Sequence, residues 1–102
     1  MKACCREYLS EQFGGDEDVV NEIYGEYVVS LQTKVAEAKA SLSGADWKAL
    51  DVVAHTIKGN ALAAGDKETA EVAIALRNAA KLQAAEEAAG LVAKIDSLSA
   101  DL

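Results

Sequence analysis

A chain of 102 residues suits one domain with a single modest core. Its net charge of −7 argues against nucleic acid or an anionic membrane surface as a partner. The composition is 51% hydrophobic, much of it alanine, with 5% aromatic residues and no proline, which favours closely packed helices over sheets. Two adjacent cysteines, Cys4 and Cys5, provide no disulfide framework and read as reduced thiols near a helix end. With no N-terminal apolar run of signal-peptide length and no stretch of membrane-spanning length, the expectation is a soluble, cytoplasmic protein.

The first predicted element is a short helix over residues 2–13, ended by Gly14 and Gly15. Asp16 then caps a second helix, over 16–42, with Glu17 and Asp18 favourable at its positive end. Val20, Tyr24, Tyr27, Leu31, Val35, Ala38 and Leu42 alternate threes and fours along it, the mark of one buried stripe. Ser43-Gly44 ends it and Asp46 caps a third helix over 46–64, stopped by Gly65. A fourth helix over 66–82 presents Thr69, Val72, Ala73, Leu76 and Ala80. A fifth over 86–101 presents Ala88, Leu91, Ile95, Leu98 and Leu102.

The break between these last two is poorly signalled, because no Gly or Pro marks it. One helix from Asp66 to the end would be about 54 Å long and would overhang its partners by several turns. A turn near Leu82–Glu86 is therefore expected. The fold these elements imply is all-α: an up-down antiparallel four-helix bundle with a short additional N-terminal helix, forming a single domain over 1–102.

Within the third helix lies the only histidine, His55, followed by Lys58 and Gly59 on the next turn. Trp47, Leu50, Ala54, Ile57, Ala61 and Ala64 make the core stripe. At about 100° per residue, His55 points roughly 130° from the centre of that stripe, Gly59 nearly opposite it, and Lys58 lies on its shoulder. Glycine inside a helix costs about 1 kcal/mol relative to alanine. A use that offsets the cost is close approach by another macromolecule beside the imidazole. A fixed cation one turn from the ring disfavours imidazolium and offsets charge on an incoming anion. Neutral nucleophile, cation and cleared approach suggest phosphoryl acceptance.

The run His55-Thr56-Ile57-Lys58-Gly59-Asn60-Ala61, then Gly65, resembles the signature of histidine phosphotransfer (HPt) domains. In that family Lys follows the histidine at plus three, Gly at plus four, small residues at plus five and six, and Gly at plus ten. The resemblance extends from about Tyr24 to the C-terminus. It implies that His55 is the phosphoacceptor and Lys58 its charge support, while Gly59, Val52, Leu62 and Ala63, flanking His55 on the outer face with Lys48 and Asp51 nearby, suit a docking patch. It also implies the partners: receiver domains of response regulators and a histidine kinase. The chain would be a phosphoryl carrier without an autonomous catalytic site, working as a monomer. It would hold no cofactor or metal of its own, the Mg²⁺ lying on the receiver.

One position departs from the family. The residue 22 after the histidine, on the facing helix, is often Gln or Glu and orients the ring by hydrogen bonding. Here it is Arg77, with Lys81 one turn on. An arginine accepts no proton, so the ring must be oriented otherwise. The pair reads either as a cationic edge meeting a phosphoryl group or an acidic receiver, with no structural role, or as an ordinary solvated face.

Other functions are weighed against this one. Zinc needs three or four converging ligands and there is no second histidine. A His–Ser or His–Cys hydrolytic dyad has no nucleophile motif to support it. A phosphorylation-independent helical adaptor needs the apolar patch but has no use for the histidine, lysine and glycine. The phosphoacceptor domain of a chemotaxis-type kinase is a further alternative. The absence of an ATP-binding motif and the start at Met1 favour a free-standing module instead.

Overall fold

The computed structural model describes residues 1–102 as five α-helices and no strands: α1 (Ala3–Gln12), α2 (Glu17–Ser43), α3 (Trp47–Ala63), α4 (Lys67–Lys81) and α5 (Ala85–Ala100). Helices α2 to α5 close a ring, each packed against the next and α5 against α2, while α1 lies against α2 outside the ring. This is the all-α four-helix bundle with an added N-terminal helix, drawn out to 42 × 19 × 18 Å by the 27-residue α2. No helix is long and apolar enough to cross a membrane.

Side-chain caps start the three middle helices. Asp16 accepts from the backbone N–H of Asp18 and Val19, Asp46 from Ala49, and Asp66 from Thr69. Each satisfies amide donors that a helix start leaves without intrahelical partners. At the end of α3, Gly65 has φ +76°, and the Asp66 amide donates back to the Ala61 carbonyl. That left-handed residue and its return bond make a Schellman-type stop.

The other turns use less obvious residues. Between α2 and α3 it is Ala45, at φ +52°, that takes the left-handed conformation, while Gly44 stays at φ −85°. Between α4 and α5 it is Gln83, at φ +53°. The α4–α5 turn thus falls on Leu82–Ala84, and a glutamine fills the place a glycine would have advertised.

The core is aliphatic and rich in alanine. Leu9, Val20, Leu31, Leu50, Ile57, Leu76 and Ile95 are fully enclosed. Ala54, Ala61, Ala73 and Ala79 have no exposure at all, so α3 and α4 approach closely along small side chains. The buried side of α5 differs from its expected stripe. Val92 and Ser99 are buried there, whereas Leu91, Leu98 and Leu102 are only partly covered at the margin. Ser99 tolerates burial because its hydroxyl donates to the Asp96 carbonyl at 2.7 Å. Leu42 and Trp47 likewise pack at the edge of the core.

Helix α1 closes one end of the bundle. Its buried residues are Cys5 and Leu9. Burial, reinforced by the charge of Asp66, pushes the Cys5 thiol up to about 12, so it stays protonated and inert, and Cys4 is exposed and free.

Candidate functional site

The Leu50–Ala54–Ile57–Ala61 stripe of α3 faces the core, which turns His55 outward and leaves it exposed. Gly59 is also exposed, and a Cβ built there meets no atom within 4 Å. The glycine is not required by packing inside this chain. Val52 and Leu62, on the same outer face, are 59% and 50% exposed, unusually bare for aliphatic side chains beside a polar centre. Lys58 is half-buried on the shoulder of the helix and pairs with no carboxylate.

Ala63 is the member of this group nearest α2. It is exposed, but it lines a cleft of about 220 Å³ between α2 and α3 with Ile23, Tyr27, Ser30 and Asn60. Asn60 Nδ2 donates across that cleft to Ser30 Oγ at 3.0 Å, tying α3 to α2. By helical geometry Ala63 leaves α3 roughly 20° from Val52 and roughly 40° from Gly59, on the side of the outer face away from Asp51, which faces α4. His55, Gly59, Val52, Leu62 and Ala63 therefore share one face, with Leu62 and His55 on its α4 side and Ala63 on its α2 side.

Helix α4 supplies the other wall. Arg77 reaches across to α3 and uses two donors: Nε to Asp51 Oδ1 at 2.8 Å, and Nη1 to His55 Nδ1 at 3.1 Å. Both Arg77 and Asp51 side chains are 27% exposed. The hydrogen bond from Arg77, against a smaller opposing effect of burial, holds the Asp51 carboxyl below its usual range, with help from the charges of Arg77, Lys81 and His55. Lys81 is exposed and pairs with no carboxylate.

Two sequence expectations change here. Arg77 is no free cation of an unstructured edge, since its charge is matched by Asp51 and it bridges two helices. Of the proposed pair only Lys81 remains an unmatched surface charge. The ring is oriented by Arg77 itself, acting as donor where an acceptor would have been the usual choice. Asp51, one turn before His55, lies near the ring as spacing implies, and its pairing with Arg77 is what spacing alone did not single out. Its i, i+4 relation to the histidine was the available signal.

The bundle carries its single histidine on an outer face, beside a bare glycine and exposed aliphatic side chains, and so leaves the imidazole open to approach from outside. The sequence model of the Hpt domain matches residues 22–101, which covers all of α3, α4 and α5 and most of α2, and the chain belongs to the Hpt domain family. Membership implies histidine phosphotransfer within a two-component phosphorelay, in which these domains carry phosphoryl groups and are not themselves catalytic enzymes. No curated protein and no solved structure gives a match.

Proposed function

We propose that residues 1–102 act as one phosphotransfer domain whose His55 takes a phosphoryl group from a receiver-domain aspartate, or from a kinase, and passes it to a response regulator. The observation that carries this reading is the combination at one spot of α3: the only histidine, exposed, with an unobstructed Gly59 on the next turn. A docked receiver brings its phosphoaspartate to the imidazole. A ring nitrogen lone pair forms the N–P bond as the O–P bond of the acyl phosphate breaks, and the electron pair leaves with the receiver carboxylate. Lys58 offsets negative charge on the phosphoryl oxygens, and the receiver supplies the Mg²⁺ and most of the transition-state stabilisation.

Val52, Leu62 and Gly59 form the contact surface, with Ala63 at its border and Lys81 as its unmatched cation. A rigid bundle suits this work, because the nucleophile must hold its place while a partner of similar size docks against it. The test is incubation with a panel of phosphorylated receiver domains, scoring label transfer to the wild-type chain and to His55→Gln. Transfer to the wild type and none to the variant supports the assignment. Equal labelling of both removes it.

A further inference from the structure

Arg77 sets the chemical state of the ring it touches. A guanidinium offers only N–H donors and stays protonated in proteins, so the His55 nitrogen facing it must be an acceptor. With Nη1 at 3.1 Å from Nδ1, the neutral ring keeps its lone pair on Nδ1 and its proton on Nε2. In that tautomer the electron pair of Nε2 belongs to the aromatic sextet and cannot attack phosphorus. The lone pair that exists, on Nδ1, is covered by Arg77. Asp51 keeps the arrangement in place, since its 2.8 Å bond to Nε fixes the plane from which Nη1 points at the ring.

We propose that Arg77, held by Asp51, is a latch on His55 that fits the phosphorylated ring and opposes the free ring's conversion into a nucleophile. The inference rests on His55 being the phosphoacceptor. For Nε2 to accept, the ring proton must pass to Nδ1 and Arg77 must turn away, because Nδ1–H and Nη1–H cannot face each other. The Nε2 lone pair then forms the N–P bond, the aspartyl O–P bond breaks, and the Nδ1 proton of the resulting cation is lost to water. The neutral phosphorylated ring carries its phosphoryl group on Nε2 and a lone pair on Nδ1. That is the atom to which Arg77 donates, so the latch closes again with no tautomer change. Loss of the phosphoryl group returns an electron pair to Nε2 and is favoured by a proton on Nδ1, which Arg77 excludes. Acceptance is therefore slowed and the phosphohistidine prolonged. An acidic receiver surface that draws the guanidinium aside would open the latch at the moment of docking.

Arg77 is a positioning residue in this scheme, and its effect has a spectroscopic signature. With one histidine in the chain, ¹⁵N labelling of the imidazole gives a single pair of ring nitrogen signals that reports the tautomer directly. Free imidazole side chains already lean towards the Nε2–H form, so the decisive observation is the change on substitution. Arg77→Gln, whose amide oxygen accepts from Nδ1–H, is expected to move the population towards Nδ1–H, and Arg77→Ala to fall between it and the wild type. Asp51→Asn, which loosens Arg77, is expected to shift the balance in the same direction by less. Phosphohistidine lifetime is expected to shorten on the order of tenfold in Arg77→Gln, the scale of one lost hydrogen bond near a charged group. Acceptance from a phosphorylated receiver is expected to speed up by a similar factor. Identical ring-nitrogen signals in wild type and Arg77→Gln would overturn the latch, as would an adduct lifetime indifferent to Arg77. Failure of His55 to be phosphorylated in any variant would instead remove the acceptor role and the latch with it, while the ring-nitrogen signals would still report the contact itself.

Discussion

The Tyr27 hydroxyl on α2 donates a 2.7 Å hydrogen bond to the carboxylate of Asp66, which heads α4 and has no exposure to solvent. Lys2, just before α1, donates to the same carboxylate at 2.9 Å, and the Thr69 hydroxyl does so at 2.8 Å. One side chain thus joins α1, α2 and α4 and also caps a helix. Asp66→Ala should therefore cost on the order of 3 kcal/mol, because it removes a cap and leaves the Tyr27 and Lys2 donors without their acceptor. Urea unfolding measures this. A loss below about 0.5 kcal/mol would mean that water replaces the carboxylate at little cost.

The same carboxylate gives a pH signature. Burial alone would raise its pKa, but the hydrogen bonds from Lys2, Tyr27 and Thr69 outweigh burial and leave it below the usual value. A depressed folded-state pKa means that the unfolded chain binds the proton first as pH falls. The stabilisation is therefore complete above about 3.9, the ordinary aspartate value, and is lost as pH drops below it through the lower folded value. The stability gap between wild type and Asp66→Asn, followed by urea titration, should hold steady near neutrality and narrow only in that acid window. A gap that narrows towards alkaline pH instead would assign the effect to another group.

Gly65 is needed for two reasons, its φ of +76° and the Tyr8 side chain of α1 lying against the place its Cβ would occupy. Gly65→Ala should destabilise by more than the 1–2 kcal/mol that the left-handed backbone costs on its own, roughly. Adding Tyr8→Gly, which removes the Tyr8 Cβ that lies nearest to that place as well as the ring, should recover part of that loss. A double-mutant cycle with no coupling would show that the backbone strain is the whole effect.

Gly59 should behave in the opposite sense. Nothing in the chain lies near its Cβ position, so Gly59→Gln should leave the fold intact and raise stability by up to about 1 kcal/mol through helix propensity. Phosphotransfer should nonetheless fall at least tenfold, on the order of 1.4 kcal/mol of binding or barrier, as the new side chain obstructs the receiver. Wild-type transfer kinetics in a stabilised variant would remove the steric explanation.

Neither Lys58 nor Lys81 pairs with a carboxylate, and the proposed function has both acting through charge. Lys58→Ala should slow transfer and shorten the adduct lifetime by a modest factor, about twofold to fivefold, at unchanged thermal stability. Lys81→Ala should lower the receiver association rate at low salt, with the difference vanishing as ionic strength rises. A salt-independent difference would indicate a structural role for Lys81.

What could be read from the sequence follows the range of the interactions. The stripe from Val20 to Ala38 on α2, and Leu50 to Ala61 on α3, are periodic patterns within one helix, and both lie buried. The outward aim of His55 follows from the same arithmetic. The α4–α5 turn was expected from length alone, because Gln83 carries a left-handed conformation without any composition signal. The α5 face was misjudged where a short serine, able to bond its own helix, was buried in preference to leucines at the margin. In the sequence Asp66 reads only as the first residue of the fourth helix. Its partners Lys2 and Tyr27 lie 64 and 39 residues away, beyond any local spacing rule. Arg77 was flagged as the departure at its position, but its pairing with Asp51 depends on how closely the alanine-lined α3 and α4 pack, which periodicity does not report.

The most direct test of the central claim is to phosphorylate the chain from an acyl-phosphate receiver and locate the phosphate by mass spectrometry under alkaline conditions. A single phosphate on His55, stable in base, lost in acid and absent from His55→Gln, is the expected result. A phosphate on any other residue, or an adduct that survives acid as a phosphoserine does, would contradict it.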